Sequence, residues 1–172
     1  MMTEDVAGGL AGGRPADTRY VHRIRVRYGE VDMQRVVFNA HYLAYCDDAV
    51  ETWLQARGVQ VADYDWDFML KKAVVEWQDA ATVHDILDIE VGVERWGSTS
   101  FDVAFIGRVG ARPVFTCVIT YVGVTLGTKE KAPPPPEVRA RLSDRPARPK
   151  QARVRDGTGP GGPARLSDGS GP

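Results

Sequence analysis

The chain has 172 residues, 43% of them hydrophobic, and 22 Lys and Arg against 23 Asp and Glu give a formal net charge of −1. That length suits one domain with tails, and no stretch of about 18 apolar residues offers a membrane span. Residues 1–128 carry 12 basic and 18 acidic side chains and residues 129–172 carry 10 and 5, so the part expected to fold is acidic. This argues against a nucleic-acid-binding domain, which needs a basic face.

Residues 1–18 are rich in Gly and Ala, lack an apolar signal-peptide core, and read as a flexible leader, with the cytoplasm as the expected location. From Tyr20 to Tyr28, basic residues alternate with Val21, Ile24 and Val26, the period of a half-exposed strand. Between Ala40 and Arg57 the spacing becomes helical. Leu43, Cys46, Val50 and Trp53-Leu54 fall on one stripe, with Ala49 beside them. Asn39 is the expected N-cap, and Gly58 stands where a C-cap glycine belongs.

The apolar stripe of that helix needs a sheet to cover, and the downstream segments supply one. Phe68-Met69-Leu70 leads into 73–78. Segments 86–96, 100–109 and 114–124 follow, with apolar and polar residues alternating most strictly in the first. The linkers 97–99 and 110–113 are short and turn-rich, so the last three strands are expected to form a meander. One early strand, one long helix and four further strands make an α+β layout on an antiparallel sheet. Pro133 to Pro136 interrupts regular structure, and 137–142 has room for one helical turn. The Gly, Pro and Arg-rich segment 145–172 is expected to be a disordered tail, leaving a domain at 19–144. Cys46 and Cys117 form no disulfide framework and stand with no zinc-ligand spacing, so both are expected as buried thiols, without a metal or cofactor.

The chemistry concentrates in residues 28–42. Two carboxylates, Glu30 and Asp32, end a strand-like run a few residues before a helix starts at Asn39. Amides at a helix N-terminus polarise a carbonyl oxygen, while a neighbouring carboxylate attacks the carbon or activates water. No Gly-x-Ser-x-Gly elbow occurs, and Gly8-Gly9 and Gly12-Gly13 lack the Lys-Ser/Thr of a phosphate loop.

In Tyr28, Glu30, Asp32, Val36, Val37 and Tyr42, in that order and spacing, the chain resembles the hydroxybenzoyl-CoA thioesterase branch of the hotdog-fold superfamily. His84-Asp85-Ile86-Leu87 is similar to that family's entry into its third strand. The resemblance spans about Tyr20 to Leu142. It implies a hotdog fold, a five-stranded antiparallel sheet wrapped around one long helix. It further implies hydrolysis of an acyl- or aroyl-CoA thioester to free acid and CoA, in a homodimer or homotetramer with the site between subunits. Asp32 would be the catalytic acid, as nucleophile or general base, and the amide of Asn39 would bind the thioester oxygen. Glu30, Arg35, Val37, Phe38, His41 and Tyr42 would line the substrate site. Arg35 stands where the pattern prefers Gly, at about 1 kcal/mol if the turn needs positive φ. Asn39 stands where relatives often carry Tyr or His, so only its backbone amide can serve. One of Asp47, Asp48 and Glu51 on the helix could face the acyl pocket. Two other readings stay open: a hotdog hydratase or dehydratase using His41, and a non-catalytic module binding acyl-CoA or an acyl carrier.

Overall fold

The computed structural model describes residues 19–143; the expected leader and disordered tail lie outside the described residues. Five strands alternate with one long helix: β1 (Tyr20–Arg25), α1 (Asn39–Ala56), β2 (Trp66–Trp77), β3 (Ile86–Trp96), β4 (Ser100–Val109), β5 (Arg112–Thr125) and a short α2 (Pro136–Arg141). All pairings are antiparallel, in the order β1-β3-β4-β5-β2. The expected β3–β4–β5 meander is the centre of the sheet. The two strands flanking α1 in sequence form its opposite edges.

The sheet wraps α1 because both present matched apolar stripes. Tyr42, Tyr45, Cys46, Ala49, Val50, Trp53 and Leu54 are buried on the helix. Leu87, Ile89, Val91 and Val93 on β3, and Val103 and Phe105 on β4, alternate inward from the strands. Each fully buried Leu, Ile or Phe contributes roughly 1.5–3 kcal/mol of transfer free energy. Tyr42 and Tyr45 belong to this core although the stripe read from the sequence ran through Leu43, Cys46, Val50 and Trp53-Leu54. Cys46 and Cys117 are free and buried, as expected.

Three details differ from the expectations. β1 ends at Arg25, and residues 28–30 form a 3-10 turn instead of more strand. Segments 68–70 and 73–78 are one strand, interrupted only by a register shift between Leu70 and Lys72. Asn39 is the first residue of α1 and not its cap. Phe38 takes the cap position, because its amide is held extended by the Glu30 carbonyl (2.9 Å), so the chain enters the helix one residue earlier. The other end follows the expectation. Gly58 has φ +64°, and its amide and that of Val59 return to the Gln55 and Leu54 carbonyls, satisfying the last turn.

α2 closes the far side, burying Val138 and Leu142 and placing the Arg139 guanidinium over the Trp96 ring at 5.1 Å. Among the described residues no helix is long and apolar enough to cross a membrane.

Candidate active site

The segment that carries Asp32 is a tight turn. The Asp32 amide donates to the Val36 carbonyl and the Arg35 amide to the Asp32 carbonyl, both at 2.9 Å, while Val31 and Val37 pair as a bridge. Closing a three-residue loop this way puts its third residue in the left-handed region, and Arg35 has φ +63°. The turn therefore does require the conformation that favours glycine. The Asp32 carboxylate is half-buried. Its Oδ1 accepts from the Gln34 amide at 2.8 Å, and Oδ2 accepts from no group among the described residues.

Two flanking structures hold the turn. On one side, the β2–β3 connection accepts it: the Val37 amide donates to the Ala81 carbonyl (2.9 Å) and Val36 bridges Thr82. Arg112 pins that connection, donating to Asp79 Oδ2 (2.8 Å), the Ala80 carbonyl (2.7 Å) and Asp85 Oδ2 (3.2 Å). The guanidinium lowers the Asp79 carboxyl below its ordinary value. On the other side stands Glu30, the one buried charged side chain among the described residues. Its oxygens accept from Arg27 Nε (2.7 Å), the Arg27 amide (2.7 Å) and the Tyr45 hydroxyl (2.8 Å). Burial pushes this carboxyl up, but the three donors and the guanidinium charge outweigh it and the net displacement is downward.

From the turn the chain passes directly into α1. The first-turn amides of Asn39 and Ala40 have no intrahelical partner and donate to no acceptor among the described residues. They face outward, Asn39 being exposed. A hollow of about 260 Å³ opens there, lined by Val36, Val37, Asn39, Tyr42 and residues 77–80, which include Gln78 and Asp79. Its wall is rigid: Tyr42 is buried, packs against Phe115 (5.1 Å) and Trp77 (6.0 Å), and accepts the Ala81 amide on its hydroxyl at 3.2 Å. Burial pushes the Tyr42 phenol up, which keeps it neutral.

The expected residues thus divide among three places. Val37, Asn39 and Tyr42 meet at the hollow, and Asp32 and Arg35 sit on the adjoining turn. Glu30 and His41 line a separate groove of about 790 Å³ between α1 and β1, together with Ile24, Arg25, Arg27 and Asp48. Phe38 is half exposed, lines neither hollow nor groove, and meets His41 edge-on at 6.2 Å. Of the helix acids, Asp48 turns to β1 and takes His22 at 2.9 Å. Asp47 turns the other way, where Tyr121 on β5 donates to its Oδ1 at 3.5 Å. Burial raises the Asp47 carboxyl, with the phenol partly offsetting it. Among the described residues no three His, Cys, Asp or Glu side chains gather as a metal site would require.

Sequence reasoning missed Tyr45 and Arg112. Tyr45 follows Tyr42 by three positions on the buried stripe, a signal that helical periodicity contains. Arg112 is the first residue of β5, inside the segment that the sequence marks as a turn-rich linker, where nothing local singles it out.

Comparisons with known proteins agree with this architecture. The thioesterase-like superfamily matches residues 26–142. A 1,4-dihydroxy-2-naphthoyl-CoA hydrolase of Synechococcus elongatus is 24% identical over 115 residues, covering 64% of this chain and 85% of that protein. The crystal structure of a 1,4-dihydroxy-2-naphthoyl-CoA thioesterase from Synechocystis superposes with a TM-score of 0.65 at 19% identity, over 72% of this chain and 94% of that one. A gentisyl-coenzyme A thioesterase gives 0.65 at 20% identity, over 72% and 100%. The strand order, the wrapped helix and the matched span agree: this chain has the hotdog fold and belongs to the thioesterase-like superfamily.

Proposed function

We propose that this thioester hydrolase acts on aroyl-CoA thioesters, with Asp32 as nucleophile or general base and the amide at Asn39 receiving the thioester oxygen. The observation that carries the reading is the junction itself. A carboxylate with one free oxygen sits on a braced turn, seven residues before outward-facing helix amides that have no acceptor. A thioester is already activated, so hydrolysis chiefly needs a positioned carboxylate and an oxyanion donor. In the general-base route, Asp32 takes a proton from water as it adds to the carbonyl. The tetrahedral oxyanion then collapses and expels CoA thiolate. In the nucleophilic route, Asp32 displaces CoA to form an anhydride that water opens.

Asp47 favours an aromatic acyl group with a hydroxyl. Asn39, Leu43 and Asp47 recur every four residues along α1, Asn39 lining the hollow with Trp77 of β2 and Asp47 meeting Tyr121 of β5, and eight residues of helix span about 12 Å. That length fits one or two aromatic rings with a hydrogen bond at each end. Asp47, with Tyr121 behind it, would accept from the distal hydroxyl. The relatives named for dihydroxynaphthoyl and gentisyl thioesters support the same choice.

The site is open on the β2 side. This edge strand exposes Met69, Leu70, Val74 and Trp77, an unpaired apolar edge that invites a second copy. A homodimer or homotetramer would enclose the acyl group there.

The test is thiol release from hydroxynaphthoyl-, hydroxybenzoyl-, benzoyl- and straight-chain acyl-CoA, with wild type and Asp47→Leu. Wild type should prefer hydroxylated aroyl groups, and Asp47→Leu should lose about tenfold of that preference. Equal turnover of straight-chain substrates would overturn the aroyl reading.

A further inference from the structure

Glu30 has more hydrogen-bond donors aimed at it than any position on a surface turn needs. It is 6% exposed, and burying a carboxylate is costly unless donors surround it. Three groups do so, from two parts of the chain. The Arg27 amide and guanidinium come from the segment leaving β1, and the Tyr45 hydroxyl from the seventh residue of α1. The Glu30 carbonyl also receives the amide of Phe38, the residue from which α1 starts. One residue therefore ties the approach to the turn, the helix cap and the second turn of the helix. Asp32 lies two residues beyond it and Asn39 follows the cap. Neither its carboxylate nor Tyr45 lines the hollow at Asn39; both open onto the opposite groove.

We infer that Glu30 is a positioning residue for thioester hydrolysis: with Tyr45 and Arg27 it fixes the Asp32 turn relative to the N-terminus of α1. It thereby sets the line along which Asp32 or its water meets a carbonyl held at the Asn39 amide. This rests on the proposed roles of Asp32 and Asn39. A neutral amide at position 30 has one acceptor oxygen for donors that now share two, so the lock loosens without a change in side-chain size. Removal of the Tyr45 hydroxyl loosens the same lock from the helix side, while the ring keeps its packing against Tyr42 at 6.1 Å.

The experiment compares kcat and KM for CoA thioesters in wild type, Glu30→Gln, Tyr45→Phe, the double variant and Asp32→Asn, well below their melting temperatures. Displacements of an ångström at a reacting centre cost up to about a hundredfold, so kcat should fall between about tenfold and a hundredfold in Glu30→Gln. A smaller fall is expected in Tyr45→Phe, with KM in both within about twofold of wild type. The double variant should be no slower than Glu30→Gln alone, because both changes open one lock. If Glu30→Gln and Tyr45→Phe melt earlier but keep wild-type kcat when folded, the role is structural and the inference is overturned. Tyr45→Phe decides alone if Glu30→Gln does not fold: unchanged kcat overturns the inference. The two levels separate cleanly. An Asp32→Asn enzyme that still turns over defeats the reading of the site. An inactive Asp32→Asn beside a wild-type Glu30→Gln defeats only the role of Glu30.

Discussion

Gly107 tests how the sheet supports the site. It lies on β4, opposite Phe115 on β5, and the Phe115 ring covers it. A Cβ built at Gly107 would meet Phe115 Cε1 at 2.0 Å and Cδ1 at 2.3 Å, where carbon atoms need about 3.5–4.0 Å. The ring would therefore have to retreat by about 1.5 Å. Its retreat is blocked by Tyr42, whose centroid stands 5.1 Å away and whose hydroxyl accepts the Ala81 amide. Overpacking a core usually costs about 1–3 kcal/mol; with an aromatic wall behind the ring, the upper end applies. Gly107→Ala should lose about 3 kcal/mol, or about 12 °C of melting temperature for a domain of this size. Denaturant unfolding followed by tryptophan fluorescence measures it. Phe115→Leu in the same chain should return part of the loss, giving a double variant more stable than the sum of the singles. Stability of Gly107→Ala within about 0.5 kcal/mol of wild type would refute the reasoning.

Two further outcomes follow from the turn and its brace. Arg35→Gly releases the left-handed strain, about 1–2 kcal/mol, against about 0.4–1 kcal/mol of added freedom in the unfolded chain. It should unfold at slightly higher urea than wild type, and a lower midpoint would count against the strain. The Glu30 carboxyl is held below its unfolded value of about 4.3. Its stabilisation is thus complete above that value and lost as pH falls through the folded one. The stability gap between wild type and Glu30→Gln, from urea titrations at several pH values, should be widest near neutrality and close below about pH 4; a gap constant into acid would show that the charge is irrelevant.

Much of the fold was legible because the strongest signals were periodic. The alternation of 86–96 and the stripe from Leu43 to Leu54 marked strand and helix. The linkers 97–99 and 110–113 marked hairpins. Errors fell where a tertiary contact outvoted a local preference. Asn39 is a good N-cap by residue type, but the Glu30 carbonyl holds Phe38 extended, and Phe38 takes that place. The bulged β2 looked like two segments because Lys71 and Lys72 break the apolar pattern on an edge strand, where solvent tolerates them. At the site, the order Glu30, Asp32, Asn39 was readable, as was the demand on Arg35. Which flank of α1 each side chain faces was not. Glu30 and Asp32, two residues apart, would share one face of a strand, yet the 3-10 turn sends Glu30 to the β1 groove and leaves Asp32 on the following turn. Arg112 acts through a contact 33 residues distant in sequence, which no local pattern announces.

The central claim is that Asp32 performs the chemistry at the head of α1. Thiol release from an aroyl-CoA thioester by wild type and Asp32→Asn, each confirmed folded, tests it most directly. The variant keeps the acceptor that Gln34 uses and loses only the charge. Turnover should fall by at least about a thousandfold, since nucleophile and base are removed together. An Asp32→Asn enzyme within tenfold of wild type would contradict the account and place the catalytic carboxylate elsewhere.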